Sequence, residues 1–243
     1  MALIGCVQEI AAADLGLSGS IKDEPSLATN AFSRWSGPYI GVQAGGGLAI
    51  DDLSLSYNGT PITNGYVAST NNFSGALGGI HGGYRFATQG FVLGAEADIE
   101  ATNLHGTLTD TYAGGSASVE TKLKWQGSLR ARAGVSLTNS SLLYITGGLA
   151  FAQVDDKYTV TLPSNNLFGA PAGTYAEGFS DIRWGYTVGG GMEQAVTPHL
   201  TTRIEYRFTD FGTYRNNSAL VLGGELNQKL FDHAVRVGAT NYF

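Results

Sequence analysis

Val119–Val135 reads V-E-T-K-L-K-W-Q-G-S-L-R-A-R-A-G-V. Every second residue from Glu120 is polar: Glu120, Lys122, Lys124, Gln126, Ser128, Arg130, Arg132. The set between them is Val119, Thr121, Leu123, Trp125, Gly127, Leu129, Ala131, Ala133, Val135. A period of two belongs to an extended strand with one polar and one apolar face. Strands of soluble domains average about five or six residues, yet this alternation persists over 17. That length suits a tilted strand of a membrane barrel. Such a strand crosses the hydrocarbon in about 9–11 residues, with lipid on one face and a polar lumen on the other.

Composition points the same way. Charged residues make up 14% of the chain, against about 25% in soluble domains. No run of about 18 apolar residues occurs, which excludes a helical span and leaves a closed barrel as the way to cross. A net charge of −6, with no basic patch to offset it, argues against nucleic acid as a partner. The single cysteine, Cys6, has no internal partner.

The alternation recurs seven more times, over 38–50, 73–86, 91–104, 142–153, 182–195, 200–211 and 229–243. The third of these segments in chain order sets Phe91, Leu93, Ala95, Ala97, Ile99 against Glu96, Asp98, Glu100. The links alternate long and short: 51–72, 87–90, 105–118, 137–141, 154–181, a turn with Pro198, and 212–228. An even count with alternating links predicts an all-β, eight-stranded antiparallel up-and-down transmembrane barrel over 37–243. Its short turns and both termini are periplasmic and its long loops external. Residues 1–13 read as a remnant export signal, with Ala11-Ala12-Ala13 as the small-residue cleavage site. Leu3-Ile4-Gly5-Cys6 looks like a lipoprotein signal but lacks an apolar core before it. Residues 14–36, without periodicity, read as a flexible periplasmic tail.

Parity assigns a lumen charge network of Arg85, Glu96, Asp98, Glu100, Glu120, Lys122, Lys124, Arg130, Arg132, Arg183, Glu193, Arg203, Glu205, Arg207, Asp232 and Arg236. An eight-stranded barrel is just wide enough for side chains to fill, so these charges are expected to pair rather than line a pore. Glu96 and Glu100 are the expected partners of Arg130 and Arg132. Aromatic girdles are expected at Trp125, Phe151, Trp184, Phe208 and Phe231 near the outer strand ends, and at Phe86, Phe91 and Phe243 near the inner. Asp51, Asp52, Asp155 and Asp156 fall in the expected outer loops and read as a solvated acidic surface. No His, Cys or carboxylate spacing marks a metal site, a catalytic set or a cofactor ligand.

Several stretches resemble the eight-stranded outer-membrane barrels of alphaproteobacteria, a family of major surface antigens and hemin-binding, porin-like proteins. They are Trp35-Ser36-Gly37-Pro38-Tyr39-Ile40-Gly41, Val92-Leu93-Gly94-Ala95-Glu96-Ala97-Asp98, Gly127-Ser128-Leu129-Arg130-Ala131-Arg132-Ala133-Gly134 and Trp184-Gly185-Tyr186-Thr187-Val188-Gly189-Gly190-Gly191-Met192-Glu193. Arg203-Ile204-Glu205-Tyr206-Arg207-Phe208-Thr209-Asp210-Phe211-Gly212 and Val235-Arg236-Val237-Gly238 complete the match. The resemblance implies a Gram-negative outer membrane, contact with its lipid and lipopolysaccharide, and recognition of the terminal Phe243 by the barrel-assembly machinery. The reading is a non-enzymatic envelope protein with a surface-antigen or adhesin role. The alternatives are a small-solute porin and hemin capture by the loops. Glycines expected on the lipid face, among them Gly46, Gly78, Gly82, Gly94, Gly127, Gly147 and Gly190, raise the expectation of a homo-oligomer.

Overall fold

The computed structural model describes residues 35–57, 60–61, 69–112, 115–164, 171–216 and 224–243. The export signal, Cys6 and residues 14–34 of the expected tail lie outside the described residues. The elements are β1 (Gly37–Tyr57), β2 (Thr60–Pro61), β3 (Ser69–Thr88), β4 (Phe91–Tyr112), β5 (Gly115–Thr138), β6 (Ser141–Leu162), β7 (Gly173–Ala195), β8 (Leu200–Asn216) and β9 (Gly224–Tyr242). β2 is a two-residue rung on the end of β1. The eight long strands pair antiparallel in chain order, and β1 pairs with β9 from Tyr39↔Tyr242 to Tyr57↔Gly224. That pairing closes the ring, so that at the level where all eight ladders run no edge is free, the condition for a sheet to cross lipid.

The strands outrun the segments of clear alternation, from 17 residues in β8 to 24 in β5. The expected link 105–118 is mostly β4 and β5, and the expected loop 154–181 is mostly β6 and β7. Beyond the hydrocarbon, an outward residue no longer has to be apolar. Both faces then turn polar and the hydropathy period fades, while the backbone ladder continues. The short turns hold at one end, together with Gly37 and Tyr242. Gln89 and Gly90 both have positive φ (44° and 90°), as a two-residue primed hairpin requires.

Two ladders stop early. β3 and β4 pair only as far as Leu77↔Thr102, and β7 and β8 only as far as Tyr186↔Asp210, although all four strands run on. Above those rungs the wall consists of two flaps: β4–β7 on one side, and β8, β9, β1 and β3 on the other. Side chains bridge the seams. Asn103 Oδ1 accepts from the Ala76 amide at 2.6 Å, and the Tyr214 hydroxyl donates to Asp181 at 2.5 Å.

The lumen is filled in layers. At the short-turn end Gly37, with φ of 117°, turns the chain so that Trp35 tucks under the barrel, fully buried against Val92 and Leu142. Trp35 and Ser36 thus belong to the barrel rather than to a flexible tail; the Ser36 hydroxyl accepts from the Ala87 amide at 2.8 Å. A charged layer follows. Above it lies an apolar layer of Ala49, Phe73, Leu104, Leu123, Ala152, Val154, Phe211 and Leu230. A second polar layer comes next, then a cap of Leu53 and Tyr158 with Leu108, Val119 and Phe179.

Glycine sets how closely the ladder packs. A Cβ on Gly79 would lie 1.9 Å from the Ile99 carbonyl oxygen, and one on Gly185 would lie 1.8 Å from that of Asp210. On the lipid face, a Cβ on Gly46 meets nothing nearer than 3.8 Å. Gly79→Ala and Gly185→Ala are therefore expected to lower the unfolding free energy by about 1–3 kcal/mol each. Gly46→Ala should stay within about 0.5 kcal/mol of the parent. Urea titration of the barrel refolded into vesicles measures both.

Candidate functional site

The charged layer is a continuous lattice. Glu96 accepts from Arg130, from Arg203 at 2.7 Å, from Arg132 at 3.2 Å and from the Tyr39 hydroxyl at 2.8 Å. Glu193 takes two bonds from Arg85, at 3.1 and 3.0 Å, one from Arg132 at 2.6 Å, and the hydroxyls of Thr201 and Tyr242. Glu205 holds Arg130 and Arg207, and Asp98 holds the same two arginines with Ser128. Glu100 pairs with Arg236 at 2.8 and 2.9 Å, not with Arg130 or Arg132 as expected. Asp232 stands 4.0 Å from Arg236 in the loosest ion pair of the layer.

Six arginines thus face six carboxylates, all out of water. The planar guanidinium serves such a layer because it forms two parallel bonds and remains charged when buried. Aromatic rings complete the cage. Arg85 lies 4.5 Å over both Tyr39 and Tyr242, and Arg132 lies 3.4 Å over Tyr144. Glycine makes room for them, since a Cβ on Gly83 or Gly191 would come within 2.6 Å of the Tyr39 or Tyr144 hydroxyl.

Arg183 belongs to the upper polar layer. It donates to Asp156 and to Gln228 Oε1 at 2.6 Å. Thr121 Oγ1 lies 3.0 Å from Asp51 and 2.9 Å from Asp156, and Gln228 Nε2 lies 2.7 Å from Asp51. Asp51 and Asp156, expected in outer loops, are therefore buried lumen groups. The signal that marks them is parity. Asp51 follows Tyr39, Gln43 and Ala49 on one face, and Asp156 follows Ala150, Ala152 and Val154.

Three residues assigned to the lumen are not there. Lys122, Lys124 and Glu120 face outward, with the two lysine side chains 49% and 53% exposed. The cause is a bulge. The register of β5 against β6 shifts between Leu123 and Trp125, and that of β4 against β5 shifts at Ala101/Leu104. Lys124 and Trp125 consequently share the outer face, and beyond them Thr121 and Leu123 turn inward. A one-residue slip exchanges the two faces of a strand. On the outer wall Lys122 pairs with Glu120 at 2.6 Å and Lys124 pairs with Asp155. Hydrogen bonds from those lysines hold both carboxyls below the usual carboxylate range.

The eight girdle aromatics all face outward. Trp125, Phe151 and Trp184 run across three strands with ring centroids 6.0 and 5.4 Å apart, and Phe208 stacks on Phe231 at 5.9 Å. Phe86, Phe91 and Phe243 are exposed at the other rim. Between the rims lies an apolar belt that includes Val42, Ile80, Leu93, Leu129, Ile145, Ile204 and Val237. Gly94, expected on that belt, faces inward, where a Cβ would meet Arg85 Cγ at 2.8 Å. His233 sits on the outer wall with Nδ1 2.8 Å from the Tyr206 hydroxyl, which gives one ring nitrogen a partner. The other histidines do not converge. His81 is in the lumen beside Thr240, His105 is on the outer wall and His199 is on a turn. Among the described residues, no group of three or more His, Cys, Asp or Glu is placed to hold a metal ion.

An apolar belt between aromatic rims, around a charged and filled interior, is the anatomy of a barrel that faces lipid. Residues 25–236 match the outer membrane protein beta-barrel domain. The chain belongs to that family. It is 32% identical over 231 residues to the 31 kDa outer-membrane immunogenic protein of Brucella melitensis, covering 92% of this chain and 91% of that one. It is also 32% identical over 161 residues to the 22 kDa outer membrane protein of Rhizobium leguminosarum, covering 66% of this chain and 63% of that one. The fold matches that of the outer membrane protein OprG of Pseudomonas aeruginosa, with a TM-score of 0.54 at 13% identity over 86% of this chain and 96% of that one. The protein is an outer-membrane β-barrel.

Cutting one partner from a buried pair leaves the other charge uncompensated. Arg130→Met is expected to cost about 3–5 kcal/mol, whereas Lys124→Met on the outer wall should cost about 1 kcal/mol or less. The fraction of protein that keeps folded mobility on unboiled gels after graded heating separates the two.

Proposed function

We propose that this outer-membrane barrel is a closed, non-catalytic envelope protein that anchors surface-exposed hairpins and acts as a surface antigen. The observation that carries this reading is the lumen: three apolar clusters and an ion-paired charge lattice lie in series along it. Water follows uncompensated charge, and here each of the six lattice arginines forms an ion pair with a buried carboxylate. An eight-stranded ring offers no spare radius beside them. Solute passage as a porin would need those layers to part.

The name of the Brucella relative, an immunogenic protein, supports the antigen reading. The long strands carry their hairpins well beyond the hydrocarbon, where loops on rigid scaffolds commonly meet partners. Hemin capture has less support, since the described histidines point to four different places. The exposure of Phe243, 74% at the rim that bears the short turns, supports its reading by the barrel-assembly machinery as β9 closes on β1.

Planar bilayers containing the refolded protein are expected to stay electrically silent; steady, large conductance steps would overturn the closed-lumen reading. Topology is checked separately by cysteine labelling in a Cys6→Ser background. Thr174→Cys should react with an impermeant maleimide on intact cells, and Gln89→Cys only after the outer membrane is permeabilised.

A further inference from the structure

The basic residues of the described chain divide by type. Arg85, Arg130, Arg132, Arg183, Arg203, Arg207 and Arg236 are buried in the lumen, while Arg215 is exposed. All four described lysines, Lys122, Lys124, Lys157 and Lys229, lie exposed on the outer wall. The arginines meet carboxylates in a dry interior, where a planar fork is the better cation. Lysine is a compact point charge on a flexible stem, suited to phosphate at a wet boundary.

Three of the lysines form one patch. Glu120 is the cross-strand neighbour of Lys157, and Lys122 is that of Asp155, so Lys122, Lys124 and Lys157 occupy adjacent positions on β5 and β6. They sit one level above the Trp125–Phe151–Trp184 run, at the height where the hydrocarbon gives way to headgroups. His105 joins from β4 as the neighbour of Lys122. The patch includes two acids, Glu120 and Asp155, each held by a lysine, while among the described residues Lys157 has no ion pair. Ion pairs this exposed are worth little and exchange readily. The bulge at Lys124 is what creates the patch. With unbroken alternation, Lys122 would have pointed into the lumen and Leu123 into the headgroups.

We infer that Lys122, Lys124 and Lys157 form a binding site on the outer wall for the phosphate groups of outer-leaflet glycolipid, the phosphorylated core of lipopolysaccharide. The acyl chains of that lipid would lie down the aromatic and apolar belt below. The site depends on the outer-membrane location and not on whether the lumen conducts.

The test uses the full barrel in detergent, titrated with lipopolysaccharide and with its dephosphorylated form, and followed by tryptophan fluorescence and by the shift in melting temperature. Charge near an anionic surface contributes enough that each lysine should be worth about fivefold in affinity. Lys122→Gln with Lys124→Gln and Lys157→Gln is expected to weaken binding on the order of a hundredfold. The dephosphorylated lipid should bind the parent about as weakly as the intact lipid binds the triple variant. Lys157→Gln alone, which breaks no ion pair of the described structure, should weaken binding about fivefold and so reports even if the triple variant does not fold. Unchanged affinity in the variants, or equal affinity for the dephosphorylated lipid, would overturn the site.

Discussion

Seven guanidinium groups lie out of water inside a ring of eight strands, and most of what distinguishes this barrel follows from neutralising them. Each of Glu96, Glu193, Glu205, Asp98 and Glu100 collects donors from several strands, so the lattice ties the wall together across the lumen and not only along its ladders. A buried ion pair is weak evidence for net stability, because desolvation consumes much of the Coulombic gain. Its stronger consequence is specificity. A strand slipped by one residue would carry its arginines into lipid and its leucines into the lattice, and no other register satisfies both sides. The tyrosine cage and the glycines opposite it serve the same end, since they fix where the Arg85 and Arg132 guanidinium groups lie.

The apolar layers act on the lattice in turn. Trp35 closes it from below, and Leu104, Leu123, Phe73 and Phe211 close it from above. Charges enclosed this way interact through a medium of low dielectric, which strengthens matched pairs and penalises a missing partner. The layers also separate the lattice from the polar cluster of Asp51, Thr121, Asp156, Arg183 and Gln228, whose hydrogen bonds run among its own members.

The alternation in the sequence was enough to read the strand count, the closed antiparallel order and the side on which Arg130, Glu96 or Ile99 would lie. Those properties depend on local periodicity and on a membrane that enforces it. Its authority ends at Trp125. The run Lys-Leu-Lys-Trp alternates without a break, so nothing local reveals that one extra residue sits between Leu123 and Trp125; the bulge is visible only in how β5 meets β4 and β6. Parity alone therefore puts Lys122, Lys124 and Glu120 on the wrong face. Asp51 and Asp156 are hidden for the complementary reason: beyond the hydrocarbon the outer face becomes polar too, and an inward aspartate no longer stands out. Pairing Glu100 with Arg130 or Arg132 assumed adjacent strands, whereas Arg236 reaches it across the lumen.

The two unfinished ladders give the barrel a mechanical character that a complete ring would lack. Below Leu77–Thr102 and Tyr186–Asp210 the wall is a continuous hoop, and distorting it means breaking backbone hydrogen bonds. Above those rungs it is two half-cylinders held like the jaws of a clasp. The pins are side chains: Asn103 to Ala76, Tyr214 to Asp181, and the contacts of Asp51 and Gln228 with Thr121, Asp156 and Arg183. The jaws can part without loss of a single rung between neighbouring strands, so the stiffness of the molecule changes abruptly along its axis, from a rigid base seated in the lipid to a hinged crown outside it.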